Sequence, residues 1–134
     1  MSITQRILLV DDNEADNVYH EIILRRSGFT GEVLIKESAQ SALDCLRQCT
    51  EGWPELIFVD VNMPGMDGFA FVRHAANMMI AQQQSSVVML LTSSDAAQDR
   101  HKAGELSTVS GYIIKPLTLQ AVTKLLSSAN EPTL

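Results

Sequence analysis

Five residues with chemically useful side chains each follow a short apolar run of the sequence. The first run leads to Asp11 and Asp12, and later runs lead to Asp60, Thr92 and Lys115. If these positions meet in space, three carboxylates, one hydroxyl and one amine form a single site. Clustered carboxylates repel one another at neutral pH, so such a site needs a cation. Hard oxygen ligands suit Mg²⁺, which binds one or two carboxylates together with a phosphate oxygen.

This set of groups matches the requirements of phosphoryl transfer. That reaction needs mainly positioning and charge neutralisation, with a nucleophile in line and cations on the equatorial oxygens. Asp60 is predicted to be the nucleophile, a carboxylate that attacks phosphorus and forms an acyl phosphate. Asp12 and the backbone carbonyl of Asn62 would complete the protein ligands to the metal, with Asp11 helping directly or through water. The threonine hydroxyl and the lysine amine could each bind one phosphoryl oxygen.

The apolar runs have the length and composition of buried β-strands. Each is nearly continuous in hydrophobicity, which is typical of a parallel strand covered by helices on both faces. Helix-length segments of mixed character separate them, and Gly28 and Ser38 stand where a helix C-cap and a helix N-cap are expected. The predicted strands are 7–10, 33–35, 56–59, 87–91 and 112–114, and the predicted helices are 16–27, 38–50, 68–83, 95–107 and 118–129.

This order predicts an α/β fold of five βα units, in which an open parallel sheet lies between two layers of helices. The connections are expected to be right-handed crossovers, which join parallel strands. The carboxyl ends of all five strands therefore meet at one edge of the sheet. Binding sites of such sheets form outside that edge. The fold therefore brings together the residues of the predicted site.

Length and composition limit the classes of protein to which the chain can belong. Its 134 residues, 46% hydrophobic and 19% charged, predict one globular domain over residues 1–130 with a short tail at 131–134. A formal net charge of −6 argues against a direct nucleic-acid partner, which would favour a clustered basic surface. We find no signal peptide and no apolar run of the roughly 20 residues that span a bilayer, so we expect a cytoplasmic protein without membrane insertion.

Three segments resemble the response-regulator receiver family of two-component signalling systems. They are Ile7-Leu-Leu-Val-Asp-Asp12, Phe58-Val-Asp-Val-Asn-Met-Pro-Gly-Met-Asp-Gly68 and Ser110-Gly-Tyr-Ile-Ile-Lys-Pro116. The resemblance covers nearly the whole chain, and the middle segment is specific on its own. It implies a flavodoxin-like doubly wound sheet with strand order 2-1-3-4-5, as in the bacterial chemotaxis regulator. It also implies phosphorylation of Asp60 by a histidine kinase or a histidine phosphotransfer protein, with Mg²⁺ as cofactor.

The resemblance also assigns residues to a conformational switch. The Lys115-Pro116 peptide bond is expected to be cis, a form that proline makes energetically accessible. Tyr112 takes the place of the family's switch aromatic. In such domains the hydroxyl residue, here Thr92, moves toward the phosphoryl group and the aromatic ring turns inward. This movement would remodel the face of the fourth helix, the fifth strand and the fifth helix, where a downstream protein target is expected to bind.

Two positions depart from the family pattern. Ser93 follows the switch hydroxyl, where family members usually have Ala or Gly, and it could slow the entry of donor and water. Thr108 occupies the place of a glycine that commonly ends the fourth helix. Because a β-branched residue is costly at positive φ, we expect this helix to end without a left-handed cap. The helical histidines His20, His74 and His101 are expected to be solvated.

Several functional interpretations remain open. A stand-alone receiver that binds partner proteins or relays phosphate is favoured. The alternatives are a receiver belonging to a longer regulator or hybrid kinase, and a scaffold receiver that works without phosphorylation. A flavodoxin-like electron carrier is disfavoured, because Asp11 and Asp12 would repel the phosphate of FMN. We expect a signalling domain that catalyses only its own phosphorylation and dephosphorylation, and therefore not an enzyme with a separate substrate.

Overall fold

Strands and helices alternate along the chain in the computed structural model, which describes residues 5–49, 52–93 and 97–130. The elements are β1 Arg6–Val10, α1 Glu14–Arg26, β2 Glu32–Lys36, α2 Ala39–Gln48, β3 Leu56–Asp60, α3 Gly68–Gln82, β4 Val87–Thr92, α4 Ala97–Glu105, β5 Val109–Ile114 and α5 Leu119–Asn130. All neighbouring strands are parallel, in the order β2-β1-β3-β4-β5. The predicted α/β fold and strand order are confirmed, whereas the predicted tail at 131–134 lies outside the described residues.

Helices cover both faces of the sheet because the inner strands present apolar side chains to each face. In β3, Ile57 and Val59 pack with α2 and α3, whereas Leu56 and Phe58 pack with α1 and α5. This alternation follows from the two-residue period of a strand. A central strand covered on both faces needs hydrophobic residues at nearly every position, which explains the continuous apolar run.

Capping residues define where the first two helices begin and where α1 ends. The side chain of Asn13 accepts a hydrogen bond from the Asp16 N–H at 3.0 Å, so α1 begins two residues earlier than predicted. Ser38 caps α2, as predicted, by accepting a hydrogen bond from the Ser41 N–H at 3.1 Å. Gly28 follows α1 with a φ of +96°, the left-handed conformation expected of a glycine that ends a helix.

No helix in the described part of the chain is long and apolar enough to cross a membrane. The longest, α3, has 15 residues, and a span requires roughly 20.

The register of the sheet aligns the strand ends that carry the predicted site. Asp60 lies opposite Leu91, the penultimate residue of β4, and Thr92 lies opposite Ile114, the last residue of β5. The Lys115 N–H extends this pairing by donating to the Thr92 carbonyl at 2.6 Å. The residues that follow each strand are therefore held at a common edge.

β5 begins at Val109, three residues before the predicted start at Tyr112. Ser110 and Gly111 interrupt the hydrophobic pattern, so the sequence understates the length of this strand. The register between β4 and β5 also shifts at Met89, and a Cβ on Gly111 would lie 2.9 Å from the Met89 Sδ. The glycine thus leaves room for the end of the Met89 side chain beside β5.

α4 ends without a left-handed residue, as predicted from Thr108. The Leu106 N–H donates to the Ala103 carbonyl at 3.2 Å, and the Val109 N–H donates to the Leu106 carbonyl at 3.0 Å. Among the described residues other than glycine, a positive φ occurs only at Gln83, after α3. Consecutive tight turns therefore connect α4 to β5.

Gly68, the first residue of α3, packs closely against the backbone at the end of β3. A Cβ at this position would overlap the Asp60 carbonyl oxygen and lie 2.9 Å from the Val61 Cα. Because both are backbone atoms at the end of a buried strand, we expect Gly68→Ala to destabilise the fold by about 1–3 kcal/mol in urea unfolding. Gly104→Ala in α4 is the control, since a Cβ there meets nothing within 4 Å. It should be neutral or stabilising by up to about 1 kcal/mol, and equal stability of the two variants would contradict the close packing.

Candidate functional site

Three carboxylates meet at the carboxyl edge of the sheet. Oxygens of Asp11, Asp12 and Asp60 lie within 4.8 Å of one another, close enough to share one ion. Asp11 and Asp60 are buried, with 1% and 5% of their surfaces exposed, whereas Asp12 is exposed to solvent. This cluster could hold a metal ion, and its hard oxygen donors fit Mg²⁺.

Hydrogen bonds from the start of α1 hold Asp11 in place. The Asn13 N–H donates to Asp11 Oδ1 at 2.9 Å, and Asn17 Nδ2 donates to the Asp11 backbone carbonyl at 2.9 Å. The Asn17 side chain is itself buried, so its contact is protected from water. The loop after β1 therefore orients the Asp11 carboxylate, and α1 holds the Asp11 backbone.

The Lys115 ammonium lies among carboxylates at the same edge. Its Nζ is 2.7 Å from Asp11 Oδ2, 2.8 Å from Asp16 Oδ2 and 3.5 Å from Asp60 Oδ1, and its side chain is 14% exposed. Burial alone would lower the pKa of Lys115, but the hydrogen bonds to Asp11 and Asp16 outweigh it and raise the pKa. The amine is thus a permanent cation in the site. The peptide bond between Lys115 and Pro116 is cis, as the family resemblance implied.

The environment of Asp60 disfavours its charged form. Burial, followed by the charge of the Asp11 carboxylate, raises the pKa of Asp60 to about 6, while the Lys115 ammonium and the Asn62 backbone N–H oppose the shift. Asp60 is therefore mostly ionised at pH 7 and above. The Asn62 backbone N–H thus donates a hydrogen bond to the Asp60 carboxylate. The use of the Asn62 carbonyl as a metal ligand stays a prediction.

The two predicted switch residues lie on neighbouring strands. Thr92 is fully buried at the end of β4, and Ser93 beside it is exposed. Tyr112, on β5, is half-buried against the core formed with α2 and α3. Together with Ala103 and Gly104 of α4, it lines a surface groove of about 370 Å³. The structure thus places one switch residue at the site and the other at the predicted partner face.

Sequence reasoning missed the inward face of α1. Asp16, Asn17 and His20 all face the site or the core, at a spacing that puts them on one side of the helix. The prediction that His20 is solvated is wrong, since only 1% of its surface is exposed, whereas the other two helical histidines are exposed as predicted. Burial lowers the pKa of His20, against the raising effects of Asp11 and Asp16, so the ring is mostly neutral at pH 7.

Comparisons with known proteins agree with the predicted family. Residues 7–127 match the family described as the response regulator receiver domain. The probable methanogenesis regulatory protein FilR2 of Methanothrix harundinacea is 28% identical over 128 residues, which cover 93% of this chain and 81% of the relative. The transcriptional regulatory protein PrrA of Mycobacterium tuberculosis is 33% identical over 114 residues, which cover 85% of this chain and 45% of the relative. The chain thus spans less than half the length of PrrA.

The sheet and its helices also superpose on solved structures. The crystal structure of a two-component response regulator from Cytophaga hutchinsonii matches with a TM-score of 0.86 at 29% identity. The match covers 94% of this chain and 96% of that chain. The similarity therefore extends over the whole fold, including the strand ends that carry the carboxylates.

The raised pKa of Asp60 predicts that its ionisation destabilises the fold. Because the folded state binds this proton more tightly than the unfolded chain, the contribution of Asp60 to stability falls as the pH rises from about 4 to about 6. In metal-free buffer at pH 7.5, Asp60→Asn should be more stable than the wild-type protein by about 1–3 kcal/mol. This difference in stability should disappear near pH 4. Urea unfolding of both proteins at the two pH values measures it.

Asp12→Asn is the matched control for this experiment, because it removes the same charge from an exposed member of the cluster. The substitution relieves repulsion between carboxylates, but it does not remove a buried charge. We therefore expect a smaller gain in stability at pH 7.5 than for Asp60→Asn. A stability difference for Asp60→Asn that does not change with pH would contradict the raised pKa.

Proposed function

Since the chain belongs to the response-regulator receiver family, we propose that it is a phosphoacceptor switch of a two-component system, phosphorylated on Asp60. One observation carries this proposal. The buried Asp60 carboxylate lies beside the Asp11 and Asp12 carboxylates and 3.5 Å from the Lys115 ammonium. A nucleophile, a set of metal ligands and a fixed cation are the groups that phosphoryl transfer requires in one place.

The proposed reaction transfers a phosphoryl group to a carboxylate oxygen. An Asp60 oxygen attacks phosphorus, the bond from phosphorus to the donor's histidine nitrogen breaks, and the nitrogen keeps the electron pair. With a pKa of about 6, Asp60 is already ionised at neutral pH and needs no separate base. The Lys115 ammonium pairs with one phosphoryl oxygen and the Thr92 hydroxyl donates to another. Water later hydrolyses the acyl phosphate and restores the carboxylate, so the domain turns over only its own phosphate.

The proposed protein ligands of Mg²⁺ are Asp11, Asp12, Asp60 and the backbone carbonyl of Asn62. When bound, Mg²⁺ would supply positive charge at the phosphoryl oxygens. The carboxylates around the site, with Asp16 included, outnumber the single ammonium of the lysine. This surplus of negative charge favours a divalent cation over a second protein cation.

The proposed phosphodonor is a histidine kinase or a histidine phosphotransfer protein, and exposed apolar side chains indicate where it would bind. Among the described residues, the large apolar side chains that are exposed are those of Val18, Tyr19, Ile22, Ile80, Ile114 and Leu119. All except Ile80 lie on α1 or beside the connection from β5 to α5, the elements that carry Asp16 and Lys115. A donor covering this surface would bring its phosphohistidine to the rim of the site.

The proposed output surface is formed by α4, β5 and α5. Thr92 would move toward the phosphoryl group and Tyr112 would turn inward, which changes the groove that Tyr112 lines beside α4. The affinity of a downstream protein target for this face would change as a result. We propose a protein target and no direct contact with nucleic acid, because the net charge of −6 disfavours binding to a polyanion.

We propose that the protein acts as a stand-alone regulator. The comparison with PrrA favours one second candidate, a receiver within a longer regulator, because this chain spans 45% of the length of that relative. The chemistry at Asp60 is the same in both cases. They differ in whether the output surface contacts a separate protein or another part of the same chain.

Incubation with acetyl phosphate and Mg²⁺ tests the proposed acceptor. Intact mass spectrometry should show the addition of one phosphoryl group, which should be absent for Asp60→Asn and in the presence of EDTA. Asp44→Asn, which removes an exposed carboxylate on α2, is the control and should be phosphorylated like the wild-type protein. If the wild-type protein gains no phosphoryl group and does not respond to beryllofluoride, the result favours a scaffold that binds its partner constitutively.

Removal of one carboxylate tests the proposed metal ligands. Asp12→Asn should weaken Mg²⁺ binding by about tenfold or more, because it removes both a charge and an oxygen donor from the cluster. Isothermal titration calorimetry of the unphosphorylated protein measures the dissociation constant. Asp44→Asn should bind Mg²⁺ like the wild-type protein, and an unchanged constant for Asp12→Asn would contradict the assignment of this ligand.

A further inference from the structure

Asp16 contacts the site but has no part in the proposed reaction. Its Oδ2 lies 2.8 Å from the Lys115 Nζ, and Asp11 Oδ2 lies 2.7 Å from the same nitrogen. The oxygen of Asp60 is farther away, at 3.5 Å. The two closest partners of the ammonium are therefore carboxylates other than the proposed phosphoacceptor.

Backbone contacts anchor both residues of the Asp16 and Lys115 pair. The Asp16 N–H donates to Asn13 Oδ1 at 3.0 Å, and the Lys115 N–H donates to the Thr92 carbonyl at 2.6 Å. Because both backbones are held, a change of partners by the ammonium needs movement of the side chains alone. The ammonium donates a hydrogen bond to Asp16 and lies at ion-pair distance from Asp11. The position of Lys115 relative to Asp60 thus depends on how strongly these two carboxylates hold it.

We propose that Asp16 is a positioning residue that draws the Lys115 ammonium toward α1 and away from Asp60, and thereby shortens the lifetime of a phosphoryl group on Asp60. This inference rests on the proposed function. A phosphoryl group adds negative charge beside Asp60, and Lys115 stabilises that charge only to the extent that it leaves its other partners. Asp11 is itself a proposed metal ligand, so Asp16 is the competitor that is not one of the proposed ligands.

The exposure of Asp16 sets the size of the expected effect. Its side chain is 37% exposed, so water and salt screen the ion pair with Lys115. Pairs of this kind contribute modestly, which corresponds to a change of about two- to fivefold in an equilibrium or a lifetime. Asp16 therefore adjusts the phosphorylated state without deciding whether it forms.

The test compares Asp16→Asn and Asp16→Ala with the wild-type protein. With Mg²⁺ present, both variants should bind beryllofluoride about two- to fivefold more tightly by calorimetry, and should lose the phosphoryl group more slowly by a similar factor after acetyl phosphate is removed. Asp16→Glu, which keeps the charge, should restore the wild-type values. The side-chain nitrogen resonance of Lys115 should also shift in the unphosphorylated Asn and Ala variants, as measured by NMR.

Glu14→Gln is the matched control, because it removes the same charge from the same turn of α1 without an ion pair to Lys115 in the structure. It should leave affinity, lifetime and the lysine resonance close to the wild-type values. If Asp16→Asn behaves like Glu14→Gln, or binds beryllofluoride more weakly than the wild-type protein, the inference is overturned while the proposed function stands. If the wild-type protein itself is not phosphorylated, the proposed function fails and the inference fails with it.

Discussion

The structure depends on holding several carboxylates together at one edge of a hydrophobic sheet. Asp11 and Asp60 are almost fully buried there, and the Lys115 ammonium lies within ion-pair distance of both. Like charges at this spacing repel, and burial removes the water that would screen them. The scaffold must therefore prevent the carboxylates from moving apart, as they would on flexible loops. Buried strands, and backbone bonds that continue past the strand ends such as Lys115 N–H to the Thr92 carbonyl, provide this resistance.

The same arrangement links stability to the proposed chemistry. The pKa of Asp60 is raised because burial and the neighbouring Asp11 disfavour a second negative charge, and one ammonium only partly compensates. Any ligand that brings positive charge to the cluster relieves this repulsion, so its binding also stabilises the fold. The exposed Asp12 leaves the cluster open to solvent on one side. The site is thus buried enough to concentrate charge and open enough to exchange ligands.

Much of the fold and the central carboxylates could be predicted, because parallel strands buried on both faces produce continuous apolar runs and because their carboxyl ends share one edge. The contributions of α1 could not be predicted in the same way. Asp16 and Asn17 follow the strand by several residues, and their approach to the site depends on how the helix is rotated about its axis. His20 looked like a surface residue because burial of a polar ring leaves little trace in the hydrophobic pattern. The start of β5 was missed because Gly111 serves close packing against Met89 and adds no hydrophobicity.

The packing of α4 gives a physical reason for placing the output at this helix. Between residues 100 and 105, the buried side chain is the small Ala103, whereas α3 buries Phe69, Phe71 and Val72. The Lys102 ammonium lies over the Phe69 ring, 5.5 Å from its centre, and forms a weak cation–π interaction between the two helices. A segment that buries so little apolar surface shifts at low energetic cost. Under the proposed function, a change at the end of β4 would pass along the paired strands to β5 and from there to α4, which contacts β5.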